Sequence, residues 1–162
     1  MLEIDPLAPP RPAQGGVLAF DFGAARVGVA TGDFSIQLAT PLTTIAASET
    51  EPRFNAISDL IAEWQPVWLV VGLPAFPNHS AGTEAIHPMV ASVQKFARRL
   101  HGRFHLPVTL IDETYTSSIA AHQLRAQGIH GKSQGRKDNK GKLDQLAAQQ
   151  ILQAFFDESP PC

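Results

Sequence analysis

The sequence predicts an α/β fold: a mixed five-stranded sheet, its first three strands antiparallel, flanked by helices. Two observations carry that prediction. Two β-rich runs, residues 17–23 and 26–32, stand back to back around Gly23-Ala24-Ala25 and read as a hairpin. Beyond them helical and extended patterns alternate. One later run, Val67-Trp68-Leu69-Val70-Val71, has no polar alternation, which marks a strand buried on both faces of a sheet.

Each element has its own signal. Thr40 to Ile45 is the third strand candidate, and Pro41 pushes it toward an edge or a strand start. Phe54, Ile57, Leu60, Ile61 and Trp64 recur at helical spacing, so a helix is expected over 50–64, stopped by Pro66. The apolar run 67–71 ends at Gly72, and the Pro-, Asn- and Ser-containing stretch 74–83 reads as a loop. Residues 84–101 carry Val90, Val93, Phe96, Ala97 and Leu100 on one face and Lys95, Arg98 and Arg99 on the other, a second amphipathic helix. Pro107 to Ile111 is the fifth strand, leading into Asp112-Glu113. A helix is expected over 117–127, closed by Gly128, then a mobile basic loop over 128–142. The last helix is expected to start near Leu143 and to bury Leu146, Ala147, Ile151, Leu152 and Phe155. This order excludes a doubly wound dinucleotide fold and a barrel.

A chain of 162 residues with 44% hydrophobic and 17% charged residues fits one globular domain, expected over 17–158. Residues 1–16 are proline-rich, lack an apolar segment typical of a signal peptide, and read as a disordered tail. No run is long and apolar enough to span a bilayer, so no membrane partner is expected. The single cysteine, Cys162, rules out an intrachain disulfide and suits a reducing, cytoplasmic setting. The net charge of −2 hides an asymmetry: residues 95–142 hold ten Lys/Arg against three Asp/Glu. That section is either a solvated surface or a phosphate-backbone surface.

Three acids stand out. Asp21 ends an apolar strand and precedes Phe22-Gly23; Glu113 follows the fifth strand; Asp144 opens the last helix. Each has a bland reading, as a turn residue, a solvated strand end and a helix N-terminal acid. Together they fall where one sheet could gather them, since α/β proteins place sites at the C-terminal ends of parallel strands. Carboxylate oxygens suit Mg²⁺ or Mn²⁺, and two such ions could clamp an in-line phosphodiester displacement. Lys140 and Lys142, just before Asp144, could balance developing charge.

The run Asp21-Phe22-Gly23-Ala24-Ala25-Arg26-Val27-Gly28-Val29-Ala30 resembles the opening motif of the YqgF/RuvX family. Val70-Val71-Gly72-Leu73-Pro74 is similar to that family's strand and Gly-Leu-Pro turn. Asp112-Glu113-Thr114-Tyr115-Thr116-Ser117 resembles its Asp-Glu-Arg segment, and Lys140-Gly141-Lys142-Leu143-Asp144-Gln145-Leu146-Ala147-Ala148 its closing helix. The four motifs occur in order over roughly residues 17–156. The resemblance implies an RNase H-like fold and a metal-dependent nuclease in 5′-end maturation of pre-16S rRNA. It implies Asp21, Glu113 and Asp144 as catalytic and metal-binding acids with Mg²⁺ or Mn²⁺, two ions expected. Arg26, Lys137, Lys140 and Lys142 are the expected nucleic-acid contacts. The expected partner is structured RNA or branched DNA, and the expected state a monomer or homodimer. Ala24-Ala25 stands where the family carries a polar-basic pair, and Thr114 where it carries Arg; both bear on substrate choice.

Three alternatives stay open at this point. One is a Holliday-junction-type DNA resolvase. Another is a catalytically weak nucleic-acid-binding module of the same fold. An actin- or sugar-kinase-like ATPase is disfavoured because 162 residues leave no room for a second domain. His101 and His105, four apart, read as surface residues because Gly102 and Pro107 end their helix. Trp64 and Trp68, which flank Pro66, are expected to pack at the helix–strand junction.

Overall fold

The computed structural model describes residues 2–3, 10–73, 88–112 and 136–158. The strands are β1 (Leu2–Glu3), β2 (Gly16–Phe22), β3 (Val27–Asp33), β4 (Ala39–Ile45), β5 (Trp68–Leu73) and β6 (Val108–Asp112). The helices are α1 (Thr50–Trp64), α2 (Pro88–Phe104) and α3 (Arg136–Asp157). The loop over 74–83, the helix over 117–127 and Glu113 lie outside the described residues.

The strands form one sheet in the order β1-β6-β5-β2-β3-β4. β2, β3 and β4 pair antiparallel, and β2, β5 and β6 pair parallel, which is the five-stranded mixed sheet expected from the sequence. Pro41 sits on edge strand β4, beside a register shift against Val29 and Ala30, where a missing N–H removes no ladder bond from the sheet interior.

Two expectations are corrected. Part of the N-terminal segment expected to be disordered joins the fold. Leu2–Glu3 pairs antiparallel with Leu110 and Thr109, adding a sixth strand. Arg11 lies 3.8 Å from the centroid of the Phe155 ring and donates from Nη1 to the Phe155 carbonyl at 2.9 Å. An uncovered β6 edge would leave a row of unpaired backbone groups, and β1 meets that need. The last helix begins at Arg136, so residues 136–142 are helical and not part of a loop. They show no apolar periodicity, because their turns extend a helix anchored further along.

Period-two alternation splits the core into two layers. Leu18, Phe20, Leu69, Val71, Val108 and Leu110 face α1 and α2, where Phe54, Ile57, Val93, Phe96 and Leu100 meet them. Val17, Ala19, Trp68, Val70 and Ile111 face α3, where Ala148, Ile151, Leu152 and Phe155 meet them. Trp68 is fully buried and donates from Nε1 to Thr109 Oγ1 at 2.9 Å, whereas Trp64 is exposed.

α3 also carries a polar stripe at i, i+4 and i+8. Gln145 donates to Thr44 Oγ1 at 3.2 Å, Gln149 to the Ala39 carbonyl at 3.1 Å, and Gln153 accepts from the Ala39 N–H at 3.1 Å. The glutamines tie α3 along β4 and fix the helix over the sheet.

Candidate active site

The site forms where β2 leaves the sheet. Asp21 shares the parity of Val17 and Ala19, so it belongs to the face of the sheet that α3 covers. Its cross-strand partner is Gly28 on β3. A side chain at Gly28 has no room: a Cβ there would overlap the Asp144 carbonyl and lie 2.9 Å from Asp144 Cβ. α3 therefore rests its main chain on Gly28. This brings Asp144 over the strand beside Asp21, whose Cα is about 5 Å from that of its cross-strand partner. Both acids are half-buried.

Arg26, at the start of the return strand, completes this corner. Its Nε donates to Asp144 Oδ2 at 2.7 Å, with side-chain exposures of 35% and 21%. Such a part-exposed pair contributes at most about 1 kcal/mol to stability. Its larger effect is to fix one carboxylate oxygen and leave the other available. Thr44 on β4 steadies the same turn of α3, donating from Oγ1 to the Gly141 carbonyl at 2.7 Å while accepting from Gln145.

The hairpin tip is held from the opposite face. Gly23 donates its N–H to the Arg26 carbonyl at 2.9 Å, and a Cβ on Gly23 would meet that oxygen at 2.7 Å, so glycine is needed for the tight return. Arg53, 4% exposed, donates from Nη2 to the Gly23 and Ala24 carbonyls at 3.0 and 3.1 Å and from Nε to the Ala47 carbonyl at 2.8 Å. Burial pushes the Arg53 guanidinium pKa below its ordinary value. The sequence reading missed both Thr44 and Arg53. Arg53 does carry a signal, since it lies one turn before Ile57 in the buried stripe of α1.

The other expected residues are placed as follows. Lys140 and Lys142 are exposed on the first turns of α3, Lys140 one helical turn before Asp144. Lys137 is in the same helix, its side chain outside the described residues. Asp112 ends β6 opposite Leu73 and is exposed. His101 Nδ1 lies 3.0 Å from the Leu106 carbonyl, and His105 adopts φ 55 where α2 stops, so the helix does end between them.

Among the described residues no three His, Cys, Asp or Glu side chains form a ligand set. Asp21 and Asp144 nevertheless provide carboxylate oxygens at one corner, a donor chemistry that fits a hard divalent cation. No helix of the described residues is long and apolar enough to cross a membrane.

Comparison with known proteins finds relatives that align over most of the chain. A protein of Nitrosomonas europaea is 51% identical over 147 residues, 91% of this chain and 93% of its own length. One of Methylobacillus flagellatus is 50% identical over 151 residues, 91% of this chain and 97% of its own. Both bear the name "Putative pre-16S rRNA nuclease". Among solved structures, Thermus thermophilus RuvC in complex with a Holliday junction substrate is similar in fold, with a TM-score of 0.50 at 15% identity. The alignment covers 91% of this chain and 99% of that one, and it agrees with the RNase H-like arrangement of the sheet. The sequence model of the RuvX family, described as Holliday junction resolvase, matches residues 15–158, and the protein belongs to that family.

Proposed function

We propose that the protein is a metal-dependent endonuclease that hydrolyses phosphodiester bonds in the 5′-end maturation of pre-16S rRNA. The observation that carries this reading is the contact of the Asp144 main chain with Gly28, the cross-strand partner of Asp21, which gathers two carboxylates at one corner of the sheet. The names of the half-identical relatives supply the substrate.

Asp21, Asp144 and Glu113 would hold Mg²⁺ or Mn²⁺. Glu113 lies outside the described residues and enters as the third acid from the family resemblance, ahead of its neighbour Asp112. The bound cations supply Lewis acidity and a water of lowered pKa. Arg26 orients Asp144 and adds positive charge beside it. Lys137, Lys140 and Lys142 offer cations for the phosphate backbone along the start of α3. Work on rRNA precursors would place the protein in the cytoplasm. Branched DNA is the second substrate reading, favoured by the description of the family.

The test is cleavage of a labelled pre-16S 5′-leader RNA and of a four-way DNA junction, with Mg²⁺ or Mn²⁺, wild type beside Asp21→Asn. RNA cutting that needs metal and is lost in the variant is the expected result. Full activity in Asp21→Asn would sink the site. Cutting of the junction alone would move the substrate to DNA, and binding without cutting would make the protein a binding module.

A further inference from the structure

On the far side of the hairpin tip from Asp144 lies a cavity of about 250 Å³ between the first turn of α1 and the outer face of α2. Its floor is aromatic: the Phe22 and Phe96 rings are 4.9 Å apart, and Phe54 and Phe96 are 5.7 Å apart. Its walls include Ala24, Ser48, Thr50, Ser92, Lys95 and Arg99, and Arg53 closes the back.

The charge of this cavity is unbalanced. Lys95 and Arg99 are four residues apart on α2, so their side chains rise from one face, and among the described residues neither takes part in an ion pair. Arg53 is a buried cation whose partners among the described residues are carbonyls and the Phe22 ring, with no carboxylate. A buried charge without a counter-ion is costly, and an anion in the cavity would relieve that cost. The nearby acid Glu51 is already held by Arg103 at 2.9 Å. Ser48 and Thr50 bring hydroxyls that can donate to phosphate oxygens, whereas the Ser92 hydroxyl already donates to the Pro88 carbonyl at 3.1 Å.

We propose that this cavity binds a backbone phosphate of the RNA substrate, flanking the scissile one. The proposal rests on the nuclease reading and extends it. Ala24 lines the cavity, and it belongs to the same turn that carries Arg26 toward Asp144. Ala24 and Ala25 are exposed and small, so a strand crossing the tip meets no bulky side chain between the two sites. Lys95 and Arg99 thereby act as substrate-positioning residues on the face opposite α3.

The test is binding of a fluorescein-labelled pre-16S 5′-leader RNA to the full chain by anisotropy, in EDTA to prevent cutting, across a series of KCl concentrations. The double variant Lys95→Ala/Arg99→Ala is expected to bind about tenfold more weakly. Its slope of log K against log salt is expected to be about 1.4 shallower, for two lost contacts to single-stranded RNA. Arg99→Ala alone should weaken binding more than Arg98→Ala, which removes the same charge outside the cavity. An unchanged slope, or equal effects at 98 and 99, would overturn the proposal. If those results came from a protein whose wild type binds and cuts the RNA, the nuclease reading would survive and the cavity alone would fail. A wild type that neither binds nor cuts the RNA would overturn both. Dependence on Lys95 and Arg99 seen with a four-way junction and not with the RNA would overturn the RNA assignment.

Discussion

Gly28 supports the Asp144 carbonyl directly, with no side chain between the strand and the helix. A methyl group there would collide with main chain, which cannot swing aside as a flexible side chain can. Gly28→Ala is expected to lower stability by about 1–3 kcal/mol, as overpacking does, and to lift Asp144 away from Asp21. Urea unfolding and a cleavage assay check both parts. Gly102→Ala is the counterpart. It lies in α2 with nothing within 4 Å of the added methyl, so it should stabilise by about 0.8 kcal/mol through helix propensity alone. Equal unfolding free energies for the two variants would show that the strand–helix contact is loose.

Arg26→Ala separates stability from function. Because the ion pair with Asp144 is partly solvated, unfolding should change by no more than about 1 kcal/mol. The carboxylate loses its fixed orientation, and the cleavage rate should fall about 10–100-fold, the usual effect of removing a residue that orients a ligand. A rate within a factor of two of wild type would mean that Asp144 is held by other groups.

Arg53→Lys keeps the charge and loses the fork. One ammonium cannot serve Ala47 on one side and both Gly23 and Ala24 on the other, so buried carbonyls lose their donors. The expected cost is about 2–3 kcal/mol. Amide hydrogen exchange in residues 22–27 should quicken more than exchange in β5, which is remote from the turn. Uniform acceleration across the sheet would point to general unfolding instead of a loosened hairpin.

Asp33 gives a pH prediction. Its carboxylate accepts from the Ser35 N–H at 2.8 Å, the Ser35 hydroxyl at 2.7 Å and the Gly15 N–H at 3.3 Å. The Ser35 bonds, backbone first, hold its pKa below the ordinary aspartate value, and the Gly15 bond adds to them. The sign follows from the depressed folded value. The contribution to stability is present above the unfolded pKa and is lost as pH falls through the folded one. Carboxyl NMR should show Asp33 titrating below an unstructured aspartate; a midpoint at or above that reference would contradict the turn geometry.

Strands and helices whose residues face a core were legible because burial imposes a period. β2 to β6 and α1 lie within about two residues of where the sequence pattern puts them, and Asp21 was legible because a carboxylate ending an apolar strand breaks that pattern. What escaped has no period to read. Leu2–Glu3 is held by backbone pairing, which two residues cannot announce. Residues 136–142 are polar throughout, and Gly141 argues against a helix that the packing of Ile151, Leu152 and Phe155 nonetheless propagates back to Arg136. The partnership of Arg26 with Asp144 joins positions remote in sequence, so only the fold reveals it. Arg53 was passed over because a charged residue in an apolar stripe looks like an interruption, when here it is the clasp on the hairpin.

α3 has a mechanical consequence. At 1.5 Å per residue, Asp144 and Phe155 stand about 16 Å apart on one continuous helix. Phe155 is anchored in the core and gripped by Arg11, and the Asp144 carboxylate stands where the same helix bears on Gly28, so the two contacts are the ends of one rigid lever. A tag, fusion or deletion that disturbs Arg11 thus acts on the far end of that lever, and its effect should be sought in the rate of cutting as well as in solubility.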